Sequence, residues 1–459
     1  MSPLWTGEAI AEATGGALSA PFAVSGVAFD SREVEPGDLF VAMRGETADG
    51  HDYAARARSA GAAGMLVERP VEGPHVLVRD SFEGLVALGR AARARTCAKI
   101  IGVTGSAGKT GTKEALFHAF DRMSFGAAHR SLKSYNNHVG VPLSLARMPA
   151  ETRYGVFEMG MNHEGELRAL TALVQPHVAI VTTIAPAHIE YFGTEAKIAE
   201  AKAEIFEGLV EGGTAVIPFD SPHCDLLMKA AERHAGRIVT FGFGKGADVR
   251  AIEAVPAEQG GTLVSAQLPG VHLSFTLSMP GRHWIANSLA VLAAVQAAGG
   301  DLAVAGLALA RLPGMPGRGQ RRRIRTADGG EALLIDEAYN ANPASMAATL
   351  AQLGEENARR RIAILGAMKE LGAQSVALHA GLADPILAAD VDQLLLVGDE
   401  MAPLVQALGD RIEVAHVASV QDAADRAAAM LKDGDVVLVK GSNSVGLSRL
   451  VTSLSAEMV

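Results

Sequence analysis

The chain is poor in the residues and runs that would place it in several broad classes. It has two cysteines, Cys97 and Cys224, in 459 residues. No disulfide framework can be built from them, and a reducing compartment fits. There is no excess of positive charge: 41 Lys and Arg against 51 Asp and Glu leave a net −10. That balance speaks against a global nucleic-acid footprint, so anionic ligands must be drawn by local Lys and Arg. There is no apolar run long enough for a bilayer. The most apolar helical stretch, Trp284 to Ala298, is too short and carries Asn287, Ser288 and Gln296. The opening stretch MSPLWTGEAIAEATGG has neither the basic start nor the apolar core of a secretory signal, so a cytoplasmic location without membrane insertion is expected. No short-period repeat is found.

What is present is an ordinary globular composition, 49% hydrophobic and 20% charged. The length predicts about three domains. The organising stretch is Ile100-Ile101-Gly102-Val103-Thr104-Gly105-Ser106-Ala107-Gly108-Lys109-Thr110. An apolar strand runs into a glycine turn, and Thr112 to Phe120 reads as a helix. Strand, glycine turn and helix N-terminus together hold a triphosphate, because backbone N–H groups and the helix dipole both favour negative charge. Lys109 can reach the β and γ oxygens, and the Thr110 hydroxyl can hold Mg²⁺. Position 103 is Val, so this T-G-S-A-G-K-T is a shortened variant of the standard loop. A chance glycine turn is the competing reading, and the fitting strand and helix outweigh it.

The fold class expected is α/β in three domains. A small mixed α/β unit covers 1–97, with strands at Val24 to Phe29, Leu39 to Met43, Ala63 to Glu68 and Val76 to Val78. A central P-loop unit covers 98–312. Its strands at Tyr154 to Met159, His177 to Thr182, Thr214 to Pro218 and Arg237 to Phe241 alternate with helices, which implies a doubly wound, mostly parallel sheet. Thr262 to Leu277 alternates around Pro269-Gly270 and reads as a hairpin. Leu312-Pro313-Gly314-Met315-Pro316-Gly317 marks a hinge. A Rossmann-like α/β unit without a glycine fingerprint covers 313–459, with strands at Ala332 to Asp336, Arg361 to Gly366, Gln393 to Gly398, Glu413 to His416 and Asp435 to Lys440.

Ligands of such sheets sit at the carboxyl ends of the strands. Glu158 and Asn162 end one strand there, and His188 and Glu190 follow another. Glu158 can hold or orient a metal ion, and His188 can ligate one through a ring nitrogen. Lys202, in A-E-A-K-A-E-I-F, reads on its own as an exposed helical lysine pairing with glutamates at helical spacing. Ser31, Arg32 and His51 read as solvated loop residues. The basic run Arg321, Arg322, Arg323 and Arg325 reads as a solvated strand edge rather than a phosphate site.

Taken together these motifs resemble the Mur ligases, ATP-dependent ligases of bacterial cell-wall synthesis, over nearly the whole chain. D-S-R-E-V-E-P-G-D-L-F-V-A-M-R-G with D-G-H (Asp30 to His51) is similar to the UDP-binding N-terminal domain of that family. T-G-S-A-G-K-T is similar to its ATP loop, and A-K-A-E-I-F (Ala201 to Phe206) to the segment carrying a carbamylated lysine. Tyr135 to Leu143, Glu158 to Glu166 and Asp336 to Pro343 resemble the member that joins D-alanyl-D-alanine to UDP-N-acetylmuramoyl-tripeptide. The resemblance implies that Gly105, Ser106, Ala107, Gly108, Lys109, Thr110 and Gly111 cradle ATP. It implies two Mg²⁺ ions on Thr110, Glu158, His188 and carbamylated Lys202. It puts Asn287 against adenine, and brings Arg318, Asp336, Tyr339 and Asn340 to the nucleotide from the C-terminal domain. It gives the UDP substrate to Ser31, Arg32, Asp49, His51, Asn136 and Asn137. A monomer is expected. One departure is Asn443 in K-G-S-N-S, where the family more often has Arg. The rival readings are another ligase of the same architecture, folylpolyglutamate synthase included, and a nucleotide-binding regulatory module without ligation.

Overall fold

The computed structural model describes residues 3–45, 47–186, 189–258 and 261–456. Among them the strands assemble into one large sheet, two smaller ones and a two-stranded ribbon. The first sheet has the order Ala17–Leu18, His75–Leu77, Gly64–Val67, Asp38–Val41, Gly26–Ala28. Its strands pair in parallel except at the Ala17–Leu18 edge. The single strand expected over Val24 to Phe29 is instead two. Ala23–Val24 pairs with Trp5–Thr6, Gly26–Ala28 pairs with Asp38–Val41, and the chain changes partner at Ser25.

The helix Ser81–Ala94, which the sequence reading did not mark, ties this unit to the next. Asp80 caps its N-terminus by accepting from Glu83 N–H. Arg93 near its end donates to the carbonyls of Val174 and Gln175, each at 2.9 Å. Trp5 Nε1 reaches the Ala146 carbonyl at 2.8 Å in the same junction.

The large sheet has nine strands. From one edge the order is Ala128–Arg130, Tyr154–Glu158, Lys99–Thr104, Val178–Val181, Thr214–Pro218, Arg237–Gly242 and Val249–Pro256, all parallel. Thr262–Leu268 and Val271–Leu277 add the expected hairpin, antiparallel. The central strands are apolar along their length because helices cover both faces, as parallel sheets require. Ile100, Ile101, Val103, Val156 and Phe157 are all fully buried, each worth about 1.5–3 kcal/mol of hydrophobic stabilisation. On one face lie Lys109–Ser124 and Arg282–Ala297; on the other lie Glu166–Val174 and Glu195–Ala203. The strand Lys99–Thr104 lies between Tyr154–Glu158 and Val178–Val181, so the carboxyl ends of three strands converge on the glycine turn.

The third sheet has the order Gln320–Arg325, Glu331–Glu337, Asp435–Lys440, Arg360–Gly366, Gln393–Val397, Glu413–Val417. Its first strand carries the arginine run and is the antiparallel edge, as the sequence implied. Arg321 pairs with Glu356 at 2.6 Å and Arg323 with Glu331 at 3.0 Å.

Two imidazoles are built into the central unit in neutral form. His177 Nδ1 accepts the Ile100 N–H at 3.0 Å, and His129 Nε2 lies 2.8 Å from the Ser144 carbonyl. Burial, with Lys99 and Arg93 adding to it, pushes His177 down to about 4. Burial does the same for His129, also to about 4. The unfolded chain would bind these protons near pH 6.5, roughly the free histidine value. The unfolded state is therefore favoured progressively as pH falls from there toward 4. The urea midpoint is expected to drop across that window. His177→Asn keeps an acceptor without a titrating group, so it should make the acid limb shallower; an unchanged limb would remove His177 from the account.

Candidate functional site

The glycine turn is shaped by contacts that leave no space for side chains. Gly105 has φ +150°, and a Cβ there would stand 1.9 Å from Thr182 Oγ1. Gly108 has φ +82° and precedes the helix Lys109–Ser124, where a Cβ would meet Asn287 Oδ1 at 2.8 Å. Ser106 fixes the turn to the adjacent strand end: its N–H donates to the Thr183 carbonyl at 2.7 Å and its hydroxyl to that of Ala185 at 2.9 Å. Thr182 Oγ1 donates to the Ala107 carbonyl at 2.5 Å. The first-turn N–H groups of the helix face an open cleft of about 420 Å³.

Lys109 folds back over the turn, its ammonium 2.6 Å from the Gly105 carbonyl. Burial lowers its pKa, Glu158 opposes that, and Arg318 adds to it. Thr110 Oγ1 donates to Glu158 Oε2 at 2.8 Å, and Asn136 Nδ2 donates to Glu158 Oε1 at 2.7 Å. Glu158 is almost wholly buried and ends its strand. Lys202 is not a surface lysine. It is 1% exposed and, among the described residues, has no hydrogen-bond or ion-pair partner. Burial, with the Lys109 charge adding to it, holds its pKa well below the usual lysine value. The flanking glutamates do not pair with it: each is two residues away, and Lys202 is buried while Glu200 is exposed. His188 lies outside the described residues.

The opposite wall of the cleft comes from the third sheet. The loop after Leu312 brings Arg318 over the Tyr339 ring, 4.1 Å from its centroid, and within 3.3 Å of Ser134 Oγ. Asp336 does not line the cleft. It is buried and holds the wall together, accepting from the N–H groups of Gly317 at 2.8 Å and Ala338 at 3.2 Å. Asn340 lines the cleft and accepts through its carbonyl from Lys440 Nζ at 2.9 Å.

Three family models match this chain in succession: the catalytic domain of the Mur ligase family over residues 23–107, the Mur ligase middle domain over 103–295, and the glutamate ligase domain of Mur ligases over 318–443. An Escherichia coli K12 relative named UDP-N-acetylmuramoyl-tripeptide–D-alanyl-D-alanine ligase is 34% identical over 439 residues, 95% of this chain and 94% of its own. The chain belongs to the Mur ligase family. Among solved structures, a MurF from Acinetobacter baumannii superposes with a TM-score of 0.85 at 29% identity, covering 99% of each chain. A MurF from Thermotoga maritima, solved in complex with ADP, gives 0.79 at 28% identity, covering 95% of this chain and 98% of that one.

Within this Mur ligase chain the cleft unites most of the residues expected at the nucleotide. Ser106 to Gly111, Asn136, Glu158, Asn162, Asn287, Arg318, Tyr339 and Asn340 all line it. Of the residues expected at the UDP substrate, Asn136 lines this same cleft, whereas Ser31, Arg32, Asp49, His51 and Asn137 do not. Ser31 is buried, and exposed Arg32 is gripped by Asp30 at 2.6 Å. His51 has both ring nitrogens engaged: Nδ1 lies 2.6 Å from Asp49, and Nε2 accepts the Glu68 N–H at 2.8 Å. Asn137 accepts from the Gly140 N–H at 2.9 Å and starts the next helix. The loop of Arg32 is nevertheless joined to the loop of Asn136, because Glu33 accepts from Lys133 at 2.5 Å and from Tyr135 at 2.8 Å.

Among the Mur ligase cleft residues that escaped the sequence reading are His283, Glu337, Asn342 and Lys440. His283 lies one turn before Asn287, a spacing that could have flagged it. Asn342 caps the helix Pro343–Gly354 and also reaches the Ser106 carbonyl at 3.4 Å. Glu337 and Lys440 are register partners on adjacent strands and pair at 3.5 Å, a relation invisible before the topology is known.

Gly105→Ala tests the shape of the turn. Backbone strain and the clash with Thr182 should cost about 1–3 kcal/mol of stability, read by chemical denaturation. Binding of a fluorescent ATP analogue should be lost. Unchanged nucleotide affinity would mean the turn does not cradle phosphate.

Proposed function

We propose that this chain is the cytoplasmic ligase that uses ATP to join D-alanyl-D-alanine to UDP-N-acetylmuramoyl-tripeptide in peptidoglycan precursor synthesis. The observation that carries this reading is the convergence of Lys109, Thr110 and Glu158 in one cleft closed by Arg318 and Tyr339. The names of relatives aligned over almost the whole chain support the choice of substrates. The three sheets support a division at about residues 97 and 312 into UDP-substrate, ATP and closing domains, each counted within the usual domain size.

The reaction sets two anions against each other. The tripeptide carboxylate must attack the γ-phosphorus of ATP, forming a C–O–P acyl phosphate as ADP leaves. The amine nitrogen of the dipeptide then attacks the acyl carbon, the C–O bond to phosphate breaks, and the nitrogen loses a proton. Lys109, held above the turn, offers its ammonium to the transferring group, and the helix N–H groups hold the phosphates in line. Arg318 brings a second cation from the opposite wall. Tyr339 and Asn287 give the nucleotide base two flanking surfaces. The loop 313–317 lets the third sheet close and exclude water from the acyl phosphate.

The donors present fit Mg²⁺. The Thr110 hydroxyl and the Glu158 carboxylate are buried oxygen donors 2.8 Å apart. Among the described residues no group of three or more His, Cys, Asp or Glu forms a metal cluster. Phosphate oxygens and water would therefore complete the shell, which is how Mg²⁺ is ordinarily held. Bound there, Mg²⁺ supplies charge neutralisation of the transferring phosphoryl group. Lys202 fits carbamylation, since burial lowers the pKa of its amine and so favours the unprotonated, nucleophilic form. Its nitrogen would bond to the carbon of CO₂ and release a proton, giving an anion which, with His188, suits a second Mg²⁺.

A phosphate-release assay on the purified chain should require ATP, the UDP-tripeptide and D-alanyl-D-alanine together. Lys109→Ala should lower the rate at least about 100-fold. Release without the dipeptide, or with an unrelated acceptor, would reassign the substrate. Lys202→Met should cost about 10–100-fold in activity. It should leave the melting temperature unchanged or higher, because a buried amine is replaced by an apolar side chain of similar length. Full activity in that variant would end the carbamate reading.

A further inference from the structure

Lys113 lies one turn beyond Lys109 on the same helix and is fully buried. Nothing in the chemistry above uses it. A buried ammonium is tolerated only with a full set of acceptors. Lys113 has them: Nζ donates to the Ser131 carbonyl at 3.0 Å and the Lys133 carbonyl at 2.8 Å, and pairs with Glu114 at 2.9 Å. The cation thus stitches the phosphate-binding helix to the segment 131–136. Lys133 itself has φ +50°, a left-handed conformation that a non-glycine residue keeps only when its surroundings impose it.

That short segment touches all three units. Ser131 Oγ accepts the Glu158 N–H at 3.1 Å, and Asn136 holds the Glu158 carboxylate at 2.7 Å. Lys133 and Tyr135 hold Glu33 of the first unit. Ser134 meets Arg318 of the third. Sliding the segment by an ångström would turn Glu158 away from Thr110 and break both outer contacts at once.

We infer that Lys113 is a positioning residue. It clamps 131–136 so that Ser131 and Asn136 aim Glu158 at the cation site, and so that the Glu33 loop stays in register with the glycine turn. The inference rests on the ligase reading only in taking Glu158 as a metal ligand.

The test is Lys113→Met, which keeps length and removes charge. Mn²⁺ affinity in the presence of ADP, measured by electron paramagnetic resonance, should weaken about 10–100-fold. Hydrogen exchange should quicken over 131–136 and stay unchanged over 99–104. In turnover, kcat should fall while KM for ATP stays within about twofold. Asn136→Ala should give the same Mn²⁺ loss, and the double variant should lose no more than Asn136→Ala alone, since the two act in series. Unchanged Mn²⁺ affinity, or fully additive losses, would overturn the inference. If Lys113→Met does not fold, the wild-type chain decides: amides of 131–136 must open together with those of the helix 109–124, and independent opening overturns the clamp. Because Mn²⁺ binding and exchange need no turnover, a chain without ligase activity would sink the ligase reading and leave Lys113 still judged.

Discussion

The 2.8 Å hydrogen bond between the Thr110 hydroxyl and the Glu158 carboxylate fixes the helix that follows the glycine turn to the strand beside it. A buried carboxylate is expensive unless donors surround it. Here Thr110 and Asn136 supply them to its two oxygens. The same arrangement that satisfies Glu158 holds an oxygen-rich corner beside the glycine turn proposed to take the phosphates. Asn136 is in turn held because its carbonyl accepts from Gly160 at 2.7 Å. Losing this corner would separate the glycine turn from the strand end that carries Glu158.

Around it the charge is arranged against the chain's overall acidity. The net −10 is spread over the surface, while Lys109, Arg318 and Lys440 gather at one cleft. Two of these cations come from the third sheet, so positive charge is completed only when both walls stand together. Asp336 keeps that wall rigid by holding the backbone of Gly317 and Ala338, and does its work from behind the surface it supports. The site therefore depends on buried anions that never face the ligand as much as on cations that do.

The parallel strands and the glycine turn were legible because both follow from local patterns: apolar runs, turn residues and a helix start. Lys202 was not. The flanking charges Glu200 and Glu204 suggest a solvated segment, but each is two residues away and cannot share its helix face, and Glu204 is itself buried and spends its carboxylate on the N–H groups of Gly165 and Arg168. Only the burial of Lys202 in the folded chain shows that this helix has its lysine inward. The strand Val249–Pro256 was missed because much of it is exposed and lacks the apolar signature of its neighbours. Glu337 and Lys440 lie about a hundred positions apart, and their pairing is a property of strand order alone. His51, which read as a solvated loop residue, is buried with both of its nitrogens holding a loop.

The order of the large sheet bears on how the protein is made. The strand Lys99–Thr104 leaves the ribosome before either strand that will flank it, and its second flank, Val178–Val181, is translated long after the glycine turn. Until then one edge of an apolar strand stays open to other chains, the usual hazard of non-local parallel pairing. The first sheet has no such delay, since its pairing lies wholly within residues 17–77. The nascent chain thus emerges with one fully paired sheet and one waiting seam, and the seam closes only when synthesis has passed Val178–Val181.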